Sequence, residues 1–207
     1  LILKEHPFLL SSPVKLRKRY PKLVAENLES FEKVDSCSYV KGQFVCVRRL
    51  VKRTGVLLLV ESFIKALDQG LNESYKLIIV GKGPVENDLK RKIKESKWKD
   101  NFELLGNIDD SERTNLYLSS QYNIVPTLGY EGFGLVVVEA AFMGCPSMVT
   151  SVGALPEVVS TLNDHGVVVA SNQSSIVEFF LNVDHGKYPC RKSLANVAHM
   201  KYAVFSK

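Results

Sequence analysis

Residues 125–146 read Val-Pro-Thr-Leu-Gly-Tyr-Glu-Gly-Phe-Gly-Leu-Val-Val-Val-Glu-Ala-Ala-Phe-Met-Gly-Cys-Pro. An apolar strand pattern closes at Val125-Pro126, and a loop carrying Gly129, Gly132 and Gly134 follows. A helix is predicted from about Gly134 to Met143, stopped by Gly144-Cys145-Pro146. A helix that opens on glycines lets a ligand approach its backbone. The amides of Gly134, Leu135 and Val136 have no partner within the helix, and the helix dipole adds partial positive charge, so an anion is favoured there. Two carboxylates bracket this end: Glu131 in the loop and Glu139 inside the helix, with seven residues between them. A carboxylate cannot bind an anion, so both are expected to accept hydrogen bonds from neutral hydroxyls on either side of it. Hexose, diphosphate and ribose in series fit that description, which is a nucleotide sugar.

Outward from this stretch the chain alternates strands and helices. Strands are predicted at 43–50, 76–80, 102–105, 122–126, 147–150 and 166–170. The run Lys76-Leu-Ile-Ile-Val80 is apolar nearly throughout, as a strand covered on both faces requires. Helices fall between them: one capped by Thr54 with apolar residues at helical spacing from Val56 to Leu67, one over 85–97, and one capped by Asp110 or Ser111 and running to about 120. A short helix at 154–159, a longer one at 171–183 and a last one at 189–206 complete the pattern. Six strands alternating with helices predict an α/β fold, a doubly wound parallel sheet of the Rossmann type that binds ligands outside the carboxyl ends of its strands. Residues 1–40 lack periodicity and are broken by Pro7, Pro13 and Pro21, with one helix expected at 22–33; they are expected to be a linker or interdomain remnant, with the domain proper at 41–207.

The string Glu131-Gly132-Phe133-Gly134-Leu135, then Glu139-Ala140, then Gly144-x-Pro146 resembles the signature of retaining glycosyltransferases of the GT-B fold, family 4 (group 1) in particular. In that family the first glutamate lies at the transferred sugar and the second holds the ribose. After the first strand, Arg49-Leu-Val-Lys-Arg-Thr-Gly55 resembles the family's Arg-Leu-(Val)-x-x-Lys-Gly, whose Arg and Lys neutralise the donor diphosphate. Arg49 matches; Thr54 stands in the lysine's place, leaving Lys52 or Arg53 as substitutes. Gly81-Lys-Gly83 matches the family's Gly-x-Gly turn, which bounds the donor cleft. Gly106-Asn107-Ile108 matches the segment whose backbone contacts the base, so the base stays open between uracil and guanine. Pro126-Thr127 resembles the family's Pro-Ser, and Val152-Gly153-Ala154 with Glu157 resembles its Gly-Gly-x-x-Glu, with Glu157 expected to brace locally. Phe205-Ser206 resembles the Phe-Ser-Trp that precedes a terminal crossover helix in these enzymes.

The resemblance implies the C-terminal, donor-binding half of a glycosyltransferase that moves a hexose from a UDP- or GDP-type donor to an acceptor hydroxyl on a glycan or lipid-linked sugar, without metal or cofactor. Glu131 and Arg49 are the expected catalytic residues. The expected donor-binding set is Glu139, Phe133, Gly134, Leu135, Val136, Gly83, Asn107, Ile108, Arg53 and Lys52. An N-terminal acceptor domain is expected as a partner missing from this chain. The alternative is a nucleotide-sugar binding module that transfers nothing without that domain. A phosphorylase or epimerase of the same fold has no recognisable extra catalytic residues here. A nicotinamide dehydrogenase is disfavoured because Gly81-x-Gly83 is only part of a dinucleotide fingerprint.

Composition sets bounds on the rest. The 207 residues suffice for one ordinary domain plus a tail, and no apolar run is long enough to span a membrane. The net charge of +5 is matched by the five positive residues of 15–22, so the excess is local and no nucleic-acid role is expected. A second basic cluster, Lys90-Arg91-Lys92-x-Lys94, lies on a predicted helix and leaves peripheral membrane contact open. Cys37, Cys46, Cys145 and Cys190 show no metal or redox spacing and are read as free thiols of a cytoplasmic protein. The four histidines form no cluster, and no metal site is expected.

Overall fold

A computed structural model describes residues 34, 39–185 and 191–203, with no side-chain description of residues 202 and 203. Six parallel strands form one sheet: β1 (Val40–Val47), β2 (Lys76–Val80), β3 (Phe102–Gly106), β4 (Ser120–Val125), β5 (Ser147–Thr150) and β6 (Gly166–Val169). Their order is β3-β2-β1-β4-β5-β6. The chain winds outward from β1 in one direction and returns to β4 on its other side, so the sheet has its topological switch point between β1 and β4.

Period-two alternation gives the inner strands β1, β2, β4 and β5 two buried faces. Phe44 and Cys46 of β1, Leu77 and Ile79 of β2, and Tyr122 and Ile124 of β4 point into one core layer. That layer is covered by α1 (Val56–Asp68), α2 (Glu86–Glu95) and α6 (Gln173–Asn182). Val45, Ile78, Val80, Val125 and Val149 point into the other. It is covered by α3 (Asp110–Ser119), α4 (Leu135–Phe142), α5 (Leu155–Thr161) and α7 (Arg191–Ala198). In the first layer Phe44, Phe63 and Phe180 meet edge to face with centroids 5.0–6.0 Å apart, joining β1 to α1 and α6. In the second, the Arg191 guanidinium donates to the carbonyls of Tyr117, Leu118, Ser120 and Met143 at 2.7–3.3 Å. A cation thus sits where α3 and α4 both end, at the negative end of each helix.

The doubly wound parallel sheet is the predicted fold, with several boundaries moved. β1 starts at Val40, earlier than the apolar pattern suggests, because Gly42 takes φ +78° and the register with β4 shifts between Val40 and Phe44. β4 starts at Ser120 rather than Tyr122. Its first residues are polar but buried, and Gln121 Oε1 accepts the Gly42 amide at 2.5 Å. Thr54 does not cap α1. Gly55 holds the N-cap position with φ 74°, and its missing side chain matters: a Cβ there would lie 1.8 Å from the Pro126 carbonyl oxygen. Neither Asp110 nor Ser111 caps α3. Asp109 does, accepting the Glu112 amide at 2.8 Å while Glu112 Oε2 accepts the Asp109 amide at 3.1 Å. The last predicted helix is α7 followed by a π turn over His199–Ala203. The expected helix at 22–33, the basic run 15–22, Cys37, Cys190 and Phe205-Ser206 lie outside the described residues.

Three members of the second basic cluster face carboxylates: Lys90 pairs with Glu86 at 2.6 Å, Arg91 with Asp88 at 3.0 Å and Lys92 with Glu61 at 2.6 Å. Cys46 and Cys145 are free and fully buried, and burial pushes both thiols up to about 12. Among the described residues no helix is long and apolar enough to cross a membrane.

Candidate functional site

A cleft of about 550 Å³ opens at the carboxyl ends of β1, β2 and β3, and its far wall is the loop and helix that follow β4. This is the switch point of the sheet, and the volume is in the range of small-molecule sites. Its walls carry Arg48, Arg49, Arg53, Lys82 and Arg113 against Glu131 and Glu139. Five cations facing two carboxylates make an electropositive groove suited to an anion with hydroxyl-bearing groups attached.

The wall is built by contacts between the loops after β1 and β4. The amides of Leu128 and Gly129 donate to the Arg53 carbonyl at 2.9 and 3.1 Å, and Arg53 Nη1 donates to the Tyr130 carbonyl at 2.8 Å. Gly55 closes against Pro126 in the same junction. The loop after β5 supports it from behind: Gly153, at φ 57°, brings its α-carbon against the Glu131 backbone so closely that a Cβ would lie 2.3 Å from the Glu131 oxygen.

Glu131 is held at both of its oxygens. Its Oε2 accepts from Arg48 Nη2 at 2.6 Å, and its Oε1 accepts the Gly134 amide at 3.2 Å. The two side chains are only 8% and 15% exposed. Arg48 Nη2 also donates to Thr127 Oγ1 at 3.1 Å, and the Thr127 carbonyl accepts from Thr150 Oγ1 at 2.6 Å. The Gly134 amide, expected to be free for an anion, is therefore capped by Glu131. Leu135 opens α4 and Val136 follows it, and Val136 lines the cleft.

Glu139 is the fifth residue of α4, which places it about 6 Å along the axis from Leu135. It lines the cleft opposite Arg113, with 3.9 Å between its Oε2 and Arg113 Nε. Arg113 also pairs with Asp110 at 2.7 Å. Burial raises the Glu139 carboxyl above the ordinary glutamate value; Arg113 pulls it down and Asp110 adds to the rise. Asn107 and Ile108 line the same end of the cleft.

Of the residues singled out in the sequence, the structure brings Arg49, Arg53, Asn107, Ile108, Glu131, Val136 and Glu139 into one cleft. Arg49 is exposed there, with no ion pair among the described residues. Lys52 is exposed in the 3-10 turn Lys52–Thr54 and does not line the cleft. Gly83 lies beside it: its α-carbon packs on Leu50, with a Cβ position 2.2 Å from the Leu50 oxygen. Gly134, Leu135 and Phe133 form the start of α4 behind the lining, and Phe133 packs on the core. Glu157 is in the first turn of α5, away from the cleft. Three further charged residues line the cleft that the sequence motifs do not single out: Arg48, Lys82 and Arg113. The doubled arginine at 48 and 49 is a readable signal for the first, and the central lysine of Gly81-Lys82-Gly83 for the second. Nothing in the local sequence around Arg113 points to it.

Residues 40–183 match the family model described as glycosyl transferases group 1. Among curated proteins the chain is similar to the amylovoran biosynthesis glycosyltransferase AmsD of Erwinia amylovora, 26% identical over 199 residues, 95% of this chain and 54% of that protein. It is also similar to the phosphatidylinositol N-acetylglucosaminyltransferase gpi3 subunit of Schizosaccharomyces pombe, 29% identical over 137 residues, 66% of this chain and 29% of that protein. The chain thus spans between about a quarter and about half the length of such relatives. A solved structure with the same fold is the C-terminal domain of a glycosyl transferase group 1 family protein (LpcC) from Francisella tularensis: TM-score 0.64, 19% identity, 85% of this chain and 92% of that one. The Anabaena protein HepE, solved in complex with UDP, shares the fold at TM-score 0.66 and 16% identity, over 88% of this chain and 49% of that one.

Proposed function

The chain belongs to the glycosyl transferases group 1, and on that premise we propose that it is the donor-binding domain of a retaining, metal-independent hexosyltransferase. The carrying observation is the cleft at the β1–β4 switch point, where cations and two spaced carboxylates face each other. In this reading the nucleotide lies with its base along Asn107 and Ile108, its ribose hydroxyls on Glu139, and its diphosphate between Arg49 and the start of α4. Glu131 takes the hydroxyls of the sugar. The bond from the anomeric carbon to the diphosphate oxygen breaks through an oxocarbenium-like state, and the acceptor oxygen bonds to that carbon from the same face. The acceptor proton passes to the departing phosphate oxygen. Arg49 and the α4 amides oppose the charge that grows on the diphosphate, which is electrostatic stabilisation of a leaving group. HepE was solved with UDP, which supports a nucleoside diphosphate as a ligand of this chain.

A second reading is that the chain binds a nucleotide sugar but transfers nothing without an acceptor-binding domain. It is favoured by the match to nearly the whole of a solved C-terminal domain. Calorimetric titration with UDP, GDP and ADP in the presence of a chelator, then with UDP-glucose and GDP-mannose, tests both. Metal-free binding of one nucleotide is expected. Absence of binding to all of them refutes the donor site, and binding without hydrolysis or transfer selects the second reading.

A further inference from the structure

Resting on the donor-site reading above, we infer that Arg48 supplies the diphosphate cation that position 54 lacks, and that donor binding moves Arg48 from Glu131 to the phosphate. Thr54 cannot serve: it is 2% exposed, and its hydroxyl donates to the carbonyls of Arg49 at 2.9 Å and Val51 at 2.7 Å. Arg48 enters the cleft from the end of β1 with donors to spare. Among the described residues both of its bonds, to Glu131 and to Thr127, come from Nη2, and the buried Nε has no partner. A guanidinium carries five N–H donors in a planar fork, and a phosphate matches that fork with several acceptor oxygens. Arg48 lines the cleft with Arg49 and Lys82, and a buried N–H without a partner is a group that an anion could satisfy once the side chain turns to it.

The same contact explains the engagement of Glu131. Each of its two oxygens already accepts one bond, from Arg48 and from the Gly134 amide, so a sugar hydroxyl reaching Oε2 shares that oxygen with Arg48. A phosphate that draws Arg48 away releases Oε2 for the sugar. Arg48 therefore couples recognition of the diphosphate to readiness of Glu131, as a specificity-determining residue that favours a donor carrying both groups over either alone.

The test is titration of wild type, Arg48→Met, Arg48→Lys and Glu131→Gln with a nucleoside diphosphate, the matching monophosphate and the nucleoside. Arg48→Met is expected to weaken the diphosphate about tenfold or more while leaving the nucleoside unchanged; Arg48→Lys keeps part of the affinity. Glu131→Gln is expected to tighten the sugar-free diphosphate several-fold, because Arg48 is no longer held; a purely structural ion pair would loosen it instead. If Arg48→Met fails to fold, the double variant Arg48→Met/Glu131→Gln, which leaves no unpaired charge, carries the same comparison. Unchanged diphosphate affinity in Arg48→Met, or equal losses for diphosphate and nucleoside, overturns the inference and leaves the donor site standing. Wild type that binds no nucleoside diphosphate refutes the donor site and the inference with it.

Discussion

Glu139→Gln separates binding from stability because the two should move in opposite directions. The carboxyl lies on α4 with 21% side-chain exposure, and burial raises it above the ordinary glutamate value of 4.5. A carboxyl raised in the fold stabilises it fully below the unfolded pKa, and that contribution is lost as pH rises through the folded value. At neutral pH the ionised group is therefore a cost that glutamine removes. Among the described residues the substitution breaks only the 3.9 Å pair with Arg113, which is long and partly exposed, and Arg113 retains Asp110 at 2.7 Å. The variant should melt at or above the wild-type temperature near neutrality, with an advantage that shrinks as pH falls toward 4.5. Nucleotide binding should suffer. A ribose diol donates two bonds to a carboxylate, each worth about 1.5–3 kcal/mol, and glutamine keeps one acceptor, so affinity should fall about 10- to 150-fold. Wild-type affinity itself should fall with pH through the raised carboxyl, and the variant's should not. Thermal melts and calorimetry across that range read both quantities. Undiminished affinity in the variant, or a lower melting temperature at neutral pH, would refute the reasoning.

Arg191→Met removes a cation that serves four carbonyls at the ends of α3 and α4. Leaving those acceptors and helix ends uncompensated should destabilise the protein by about 3–5 kcal/mol in urea denaturation, and a loss below about 1 kcal/mol would show that water replaces the clamp. Thr54→Lys gives up two hydroxyl bonds and places an ammonium at a 2% exposed position. It should lower stability by about 1–3 kcal/mol. Calorimetry should find no gain in diphosphate affinity, because Arg48 already meets the need; a large gain would return the role to position 54.

The sheet is legible in the sequence because each buried strand alternates between two helix layers: Phe44 and Cys46 face one, Val45 the other, and the same holds along β2 and β4. The edges of elements are less so. β1 begins before its apolar pattern because Gly42 bulges, and β4 begins on Ser120 and Gln121, polar residues that are buried and bonded. A hydropathy pattern reports side-chain character, and these residues are held by hydrogen bonds that the pattern does not contain.

The site divides along the same line. Glu131 and Glu139 stand out because their spacing around a glycine-opened helix is a property of the chain itself, and Arg49 because it matches the family's motif at a strand end. Arg48 does not, although it neighbours Arg49. Which of two adjacent charges turns inward depends on what stands opposite, and what stands opposite Arg48 is Thr127 and Glu131, some 80 residues later. Arg53 and Lys52 show the same dependence. The inward-bonded hydroxyl of Thr54 sets the 3-10 turn so that Arg53 faces the cleft and its carbonyl receives the Leu128 amide, while Lys52 is left to solvent. The residue that breaks the motif is thus the one that orients the turn, and the doubled arginine marks a second cation at the neighbouring strand end whose inward turn is decided by the folded loops.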